Sequence, residues 1–284
     1  MYVPPPPILY KYYPVESWLA DLIKGESLLF SSRTTFNDPY DSRSVTVIDT
    51  SDAGLKWLLD SFQRRLPHWP PALRLANAKQ AHRRMAKPDR PGAQDEVAEM
   101  LDRVGILSLT ENWDDMLMWS HYGAQHKGIC IGFHTNSGVF RGAMPVTYTE
   151  EYPLIKRPQD EIPVVFVKSL FTKAKCWEYE REWRILKRFM LPGEAAALRQ
   201  TAVGLSEEDL NELCDQRGAG IYTFDNAAIA SITLGSRAQD HAPTVIKACL
   251  DAGIDVPVYW VQPPSHSYKL DRRLWSEKIR RNKI

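Results

Sequence analysis

At residues 176–186 the chain reads Cys-Trp-Glu-Tyr-Glu-Arg-Glu-Trp-Arg-Ile-Leu. Aromatic and β-branched or aliphatic residues in such density favour a β-strand, and side chains in a strand alternate between its two faces. A strand here places Glu178, Glu180, Glu182 and Arg184 on one face, while the tryptophan and the isoleucine at the end of the stretch anchor the other face in a core. The stretch therefore predicts a strand that is apolar on one side and strongly charged on the other.

Three carboxylates in a row on one strand face repel one another and weaken a solvated strand. They are explained if they line a polar cleft, where neighbouring carboxylates separate each other's pKa values and share acid/base work. They are equally explained by an exposed edge strand whose charges prevent aggregation. From the residues alone, both interpretations stay open.

Composition limits the remaining choices. A chain of 284 residues is long enough for one large domain or two small ones, and a net charge of +1 gives no global attraction to nucleic acid or to a membrane. No apolar run reaches the length of a membrane span, and the start of the chain lacks the features of a signal peptide. The four cysteines are far apart and form no CxxC pair, so we expect no zinc site, no disulfide framework and a cytoplasmic location.

The order of predicted elements indicates a mixed α/β protein, an α+β fold. A strand at 8–13 is followed by an amphipathic helix that ends at Gly25, a strand at 27–32 and a polar loop. We expect one domain over 1–284, with a central mixed sheet that is mainly antiparallel or split and with helical insertions at about 51–104 and 192–217. Further elements are predicted as strands at 105–110, 129–133 and 145–150, a helix from 113 to 121, a helix at 162–173, and a strand–helix–strand unit at 228–234, 242–253 and 256–261 with parallel or mixed pairing.

The first helical insertion contains a strongly basic stretch. Residues 64–90 carry eight lysines and arginines against a single acid, Asp89. Such a stretch is typical of a nucleic-acid patch or of a docking face for an acidic partner, and it also occurs on ordinary solvated helices.

A second cluster of chemically useful side chains lies around the strand at 129–133. Within nine residues the chain carries Trp119, Ser120, His121, Tyr122, His126 and Lys127. The spacing of His126 from the preceding histidine, without a nearby third ligand, does not predict a metal site. The chain has no G-x-x-x-x-G-K-[ST], G-x-G-x-x-G, H-E-x-x-H or G-x-S-x-G motif, which removes the commonest nucleotide-binding, metalloprotease and hydrolase interpretations.

Several segments together resemble a bacterial family catalogued as domain of unknown function 2971. The matching segments are Leu-Tyr-Lys-Tyr at 9–12, Phe-Asn-Asp-Pro-Tyr-Asp at 36–41, Met-Trp-Ser-His-Tyr at 118–122 with His-Lys-Gly at 126–128, and Trp-x-x-Glu-x-Glu-Trp-Arg at 177–184. The resemblance runs from about residue 8 to the strand after 255. That family implies no established activity.

The opening of the chain also resembles, more loosely, the folds of ADP-ribosyltransferases. In those enzymes a first strand carries His or Arg, where this chain has Tyr10 and Lys11, and a later strand carries a catalytic glutamate in a Glu-x-Glu pattern. The resemblance implies that Glu182 is the catalytic carboxylate and Glu180 its partner. It further implies that Tyr122 or Trp119 stacks on nicotinamide and that Ser31 or Ser32 stands near the ribose.

The resulting expectation is a cytoplasmic bacterial enzyme that cleaves NAD as its substrate, acting as a toxin, an effector or a defence component. Glu182, Glu180 and Tyr122 are its expected catalytic residues, and no metal is expected. The expected binding residues are Tyr10, Lys11, Ser31, Ser32, Asn37, Asp38, Asp41, Trp119, His126, Lys127 and Arg184.

Two alternatives remain. The first is a non-enzymatic module that binds a nucleotide or nucleic acid through the polar cleft or the basic stretch, and it predicts that the glutamates pair with Lys11, Lys127 and Arg184 in a closed salt-bridge network that leaves no room for a ligand. The second is a metal-assisted hydrolase of nucleic acid. The expected partner is a small-molecule nucleotide. The basic stretch at 64–90 could in addition bind a nucleic acid or an acidic partner, and no binding to a membrane is expected.

Overall fold

A computed structural model describes residues 3–87, 93–189, 216–262 and 266–275, together with positions 196, 199, 207 and 210. Contacts between residues divide the chain into two compact units. The first unit consists of residues 1–32, 104–146 and 176–284, and the second of residues 33–103 and 147–175. The predicted insertion at 192–217 lies almost wholly outside the described residues.

The first unit is built on a mixed sheet of eight strands, which confirms the predicted α+β class. In chain order, its strands and helices are β1 (Ile8–Tyr13), α1 (Leu19–Lys24), β2 (Leu28–Phe30), β4 (Gly105–Thr110), α5 (Met116–His121), β5 (Ile129–His134), β6 (Met144–Pro145), β10 (Glu182–Lys187), β11 (Gly220–Tyr222), β12 (Ile229–Leu234), α7 (Ala242–Asp251), β13 (Val258–Gln262) and β14 (Asp271–Leu274). The order across the sheet is β14-β13-β12-β5-β1-β4-β10-β6, and β2 and β11 form a separate ribbon.

Pairing in the large sheet is antiparallel except between β12 and β13, which run parallel. The parallel pair is connected through α7, so the predicted strand–helix–strand unit is confirmed. β1 and β4 pair only between Tyr10 and Thr110, whereas β1 pairs with β5 over six positions. The sheet is therefore nearly split along the line between β1 and β4.

Each face of the sheet has its own apolar cluster. On one face, α1 and α7 cover a core that includes Leu9, Leu107 and Ile185. On the other face, Tyr10, Tyr12 and Trp119 pack into a smaller, more aromatic cluster. Because residues alternate along β10, its charged residues at 182 and 184 lie on the face opposite to the one that carries Ile185.

The second unit holds the predicted helical insertion. Its elements are β3 (Val45–Ile48), α2 (Asp52–Arg65), α3 (Pro71–Met85), α4 (Ala93–Asp102), β7 (Thr147–Thr149), β8 (Leu154–Arg157), α6 (Ile162–Leu170) and β9 (Thr172–Ala174). β3 pairs in parallel with β8, and β7 with β9. None of the helices in the described ranges is long and apolar enough to cross a membrane.

Some boundaries differ from the prediction. The helix predicted at 162–173 ends at Leu170, and the chain then extends into β9. The helix predicted from 113 begins at Met116, because the carboxylate of Asp115 accepts a hydrogen bond from the backbone N–H of Met118 at 2.9 Å and so caps its first turn.

Candidate functional site

The glutamate-rich stretch is a strand only in its second half, so the prediction of three carboxylates along one strand face was wrong. Residues Lys175–Glu180 form a 3₁₀ helix, and Arg181 takes a left-handed conformation with φ of 44° before β10 begins at Glu182. Because Arg181 is left-handed, the chain changes direction there, and Glu180 does not follow the alternation of side chains in β10. Glu178 is exposed in the 3₁₀ helix, whereas Glu180 and Glu182 are buried.

Residues of the adjoining strand and turn hold the 3₁₀ helix in place. The hydroxyl of Thr110 donates to the backbone carbonyl of Glu180, and the side-chain amide of Asn112 donates to the carbonyl of Tyr179 at 3.0 Å. Thr110 also stands opposite Glu182 in the β4–β10 register. The two glutamates are thus fixed beside the end of β4, where Thr110 forms the single registered pair with Tyr10 of β1 from which the two strands diverge.

Glu182 forms a bidentate ion pair with Arg184. Its two carboxylate oxygens accept hydrogen bonds from the Nε and Nη2 of Arg184 at 2.7 and 2.9 Å. Both residues are almost completely buried, with exposures of 5% and 0%. A fork-to-fork pair of this kind stabilises the carboxylate as an anion and fixes its orientation.

Lys11 supplies a second positive charge near the same carboxylate. Its ammonium donates to the backbone carbonyl of Ser108 at 3.0 Å, across the line where β1 and β4 separate. Burial lowers the pKa of Lys11 from 10.5 to about 8, although the charge of Glu182 opposes this shift. Lys11 is therefore still mainly protonated at neutral pH.

Glu180 is paired with the hydroxyl of Tyr122, which donates to its Oε1 at 2.7 Å. Tyr122 is half-buried and its ring touches that of His121, which is exposed. His121 in turn contacts Trp177, and Trp177 contacts Tyr179. Tyr122 thus contacts a buried carboxylate through its hydroxyl and belongs, through its ring, to an aromatic cluster of His121, Tyr122, Trp177 and Tyr179.

Sequence reasoning placed His121 in one cluster with Tyr122, but it missed Trp177, whose ring contacts that of His121. Both residues belong to motifs that were singled out, Trp-Ser-His-Tyr at 119–122 and Trp-x-x-Glu at 177–180. Trp177 reaches this cluster from the 3₁₀ helix, and the strand that was predicted for residues 176–186 gave no indication of that helix.

Trp119 is not available as a platform for a ligand ring, so that part of the prediction was wrong. Its side chain is fully buried, it packs edge-on against Tyr12 with ring centroids 4.9 Å apart, and its indole N–H donates to the carbonyl of Trp113 at 2.8 Å. His126 stacks on Trp119 with an interplanar angle of 15°. The structure therefore assigns Trp119 to the core, and Tyr122 is the candidate that remains for stacking.

The other predicted binding residues of the first unit lie at varied depths. Tyr10 is buried in the aromatic cluster, Ser31 is half-buried and bridges Ile106 through its backbone, and Ser32 is half-buried beside it. His126 is half-buried, and burial followed by the charge of Arg237 lowers its pKa. Lys127 is exposed on the turn before β5. Of the three cations that the non-enzymatic alternative pairs with the glutamates, Arg184 binds Glu182 and Lys11 interacts with its charge, whereas no described contact joins Lys127 to a glutamate.

Three predicted binding residues belong to the second unit. Asn37 is exposed, and Asp38 accepts a hydrogen bond from the backbone N–H of Tyr40 at 2.8 Å, which stabilises the turn. Asp41 is buried and lies 3.5 Å from the ammonium of Lys173, which is also buried. Within this unit, the loop at 36–41 is therefore anchored by an ion pair.

The described residues contain no group of three or more His, Cys, Asp or Glu side chains arranged to hold a metal ion. No family model, no curated protein and no solved structure matches the chain. The resemblances described above therefore remain predictions, and the interpretation of the site depends on its geometry.

Proposed function

We propose that the protein is a cytoplasmic enzyme of ADP-ribosyltransferase type that cleaves NAD, and that Glu182 stabilises the cation formed at the ribose. The observation that carries this proposal is the division of partners between two buried carboxylates, because Arg184 binds Glu182 whereas the hydroxyl of Tyr122 donates to Glu180. Breaking the bond between nicotinamide and ribose develops positive charge on the sugar, as in glycoside hydrolysis. A fixed, ionised carboxylate is the group that this charge requires.

In the proposed reaction, the carbon–nitrogen bond breaks and its electron pair leaves with nicotinamide. The oxygen of an acceptor, or of water, then forms the new bond to the ribose carbon. The proton of that oxygen passes to the hydroxyl of Tyr122 while the proton of Tyr122 passes to Glu180, which the 2.7 Å hydrogen bond between them supports. Arg184 is already engaged with Glu182, so its proposed role is to hold this carboxylate rather than to bind a phosphate.

Lys11 is the proposed partner for negative charge on the substrate. It is protonated at neutral pH and lies within the electrostatic reach of Glu182. The ring of Tyr122 with its neighbours His121 and Trp177 supplies an aromatic surface for nicotinamide. The biological role that we propose for this enzyme is that of a toxin, an effector or a component of a defence system.

The test is release of nicotinamide from NAD by the purified protein, followed by chromatography, with and without DNA, RNA or protein acceptors. We expect Glu182→Gln to reduce the rate by at least about a hundredfold, the loss typical of removing one group that stabilises transition-state charge. Glu178→Gln is the matched control, because it removes an exposed carboxylate from the same segment. It should leave the rate unchanged.

Glu182→Gln also breaks a buried ion pair, so its folding must be confirmed by circular dichroism. Tyr122→Phe provides a second variant, since it deletes only one hydroxyl. This variant should slow transfer to an acceptor, whereas its retained ring should still bind the nicotinamide group of NAD. Absence of turnover with every acceptor, or equal rates for the glutamine variants at 178 and 182, contradicts the proposal.

A second candidate function is binding of nucleic acid by the helical pair α2 and α3. The observation that favours it is the exposure of six cationic side chains along these helices and just after them: Arg64, Arg65, Lys79, Arg83, Arg84 and Lys87. Contacts with phosphates release counterions, so binding should weaken steeply as salt rises. The predicted stretch also includes Arg90, which lies outside the described residues.

Fluorescence anisotropy with labelled DNA and RNA tests this candidate. Lys79→Glu combined with Arg83→Glu reverses two charges on one face of α3, and it should abolish binding. The control reverses two exposed lysines in the first unit, Lys24 and Lys247, and so changes the net charge equally. Equal losses in both double variants would show that only net charge matters.

A further inference from the structure

A cavity of about 430 Å³ lies in the first unit on the side of β10 away from Glu182 and Arg184. Its walls come from β2, from the turn at 137–140, from the end of β10 and from residues 217–228. Pockets for small ligands commonly measure from about 300 to about 1,000 Å³. The cavity is thus large enough for a molecule of the size of a mononucleotide or a substituted bicyclic ring.

The wall contributed by β11 is firmly anchored. The hydroxyl of Tyr222 accepts a hydrogen bond from the backbone N–H of Arg217 at 2.9 Å and donates to the carbonyl of Gly218 at 2.8 Å. Gly218 approaches β4 at Gly105, where an added Cβ would lie only 2.5 Å from its carbonyl oxygen. Gly218 also donates to the carbonyl of Arg188 just after β10. These contacts preorganise the cavity before any ligand enters.

Positive charge reaches this cavity from two directions. Lys187 lines it and is only 5% exposed, with its ammonium 5.8 Å from the ring centre of Phe30 and 5.4 Å from that of Tyr222. Arg217 is exposed, and its guanidinium lies 6.0 Å from the ring centre of Tyr222. Two cations therefore lie close to one aromatic ring at the wall of the cavity.

The remaining wall is apolar and aromatic. Phe140 is fully buried, Phe224 lies edge-on to it with ring centroids 5.8 Å apart, and Val139 and Ala228 fill the space beside them. Two acids, Glu26 and Asp225, also line the cavity, and both are exposed, where solvent screens their charge. Asp225 additionally caps the turn that follows it by accepting a hydrogen bond from the N–H of Ala227. The most deeply placed charge is thus that of Lys187.

We propose that this cavity binds a small molecule that combines a planar ring with an anionic group. The anion pairs with Lys187 and Arg217, and the ring packs against Tyr222 and the phenylalanine wall. Because residues 182 and 184 lie on the other face of β10 from residue 187, this site is separate from the proposed catalytic one and does not depend on NAD cleavage.

Isothermal titration calorimetry tests the proposal with two pairs of probes. Adenosine monophosphate is compared with adenosine, and 2-naphthoate with 2-naphthamide, so that each pair differs mainly in its anionic group. A hydrogen bond to a charged group contributes about 1.5–3 kcal/mol, which corresponds to a preference of at least about tenfold for the anionic member. A preference in the first pair identifies a phosphate ligand, and a preference in the second pair identifies a carboxylate ligand.

Three variants locate the binding. Lys187→Met should remove the preference for the anion, and Thr223→Trp should abolish binding of both members by filling the cavity from an exposed position. Lys24→Met, which removes an exposed lysine outside the cavity, should bind like the unmodified protein. If Lys187→Met fails to fold, Thr223→Trp still decides the outcome. Equal affinities within both pairs, no binding at about 1 mM probe, or binding that survives Thr223→Trp overturns the proposal.

Discussion

Replacing Lys11 with methionine tests how the split between β1 and β4 is closed. In the folded protein the ammonium of Lys11 spans this line to the carbonyl of Ser108. Burial lowers its pKa from 10.5 to about 8, against the opposing charge of Glu182. The charged form of Lys11 is therefore less stable in the folded protein than in the unfolded chain, and this difference makes the stability of the protein depend on pH.

The sign of the effect follows from proton binding. Between about pH 8 and pH 10.5 the folded protein has released a proton that the unfolded chain still holds. The free energy of unfolding therefore rises with pH across this window, and the titration of Lys11 contributes no slope well below it. At about 1.4 kcal/mol for each pH unit, the total rise amounts to about 3 kcal/mol.

Urea unfolding followed by circular dichroism, from about pH 7 to about pH 10.5, measures this effect. Other lysines and the tyrosines titrate in both proteins, so the informative quantity is the free energy of unfolding of the unmodified protein minus that of Lys11→Met. We expect this difference to be flat near neutral pH and then to rise by up to about 3 kcal/mol. Lys24→Met, at an exposed lysine, should give a flat difference throughout. Parallel curves for Lys11→Met would refute the burial of the Lys11 charge.

Two further predictions concern contacts that support the first unit. Gly128→Ala should lower the free energy of unfolding in urea by more than about 2 kcal/mol, because the new Cβ would lie 2.2 Å from the backbone carbonyl oxygen of Tyr13 in β1. Gly142→Ala is the control and should cost little, because its nearest contact would be at 3.8 Å. Arg272→Lys should lower the free energy of unfolding by about 1–2 kcal/mol, because the guanidinium lies 4.3 Å from the ring centres of both Trp113 and Tyr259. Equal stability of the two proteins would show that these two cation–π contacts contribute nothing.

Local signals in the sequence were enough to predict much of the fold. Gly25 ends α1 in the left-handed conformation with φ of 86°, as its position after an amphipathic helix indicated. The strand–helix–strand unit at β12, α7 and β13 followed from the change of hydrophobic period along the chain. In contrast, the parallel pair of β3 and β8 was missed, because both strands are short and their pairing joins residues more than 100 positions apart. Such pairings depend on contacts that no local pattern records.

The candidate site shows the same limit at the level of single side chains. Within the 3₁₀ helix at 175–180, apolar and polar residues alternate only over residues 177–180, and four residues are too few to establish a strand. The repulsion expected among the glutamates is avoided because each has a different environment: Glu178 is exposed, Glu180 accepts from Tyr122, and Glu182 pairs with Arg184. The partner of Glu182 was visible two residues away in the same strand, whereas that of Glu180 lies 58 positions distant in sequence.

In the proposed reaction, this division of partners gives the two carboxylates different chemical roles. A guanidinium keeps a carboxylate ionised and fixes its orientation, which suits stabilisation of the positive charge that develops on the ribose. A carboxylate that accepts a hydrogen bond from a tyrosine hydroxyl can receive that proton when the hydroxyl takes one from an acceptor, which suits proton transfer. Glu182 and Glu180 are therefore not interchangeable, although both are buried and only two residues apart. On this reasoning Glu182→Gln should suppress nicotinamide release itself, whereas Glu180→Gln should mainly suppress transfer to the acceptor. A single rate assay that reports only NAD loss would miss the difference, so free nicotinamide and modified acceptor must be measured in the same reaction.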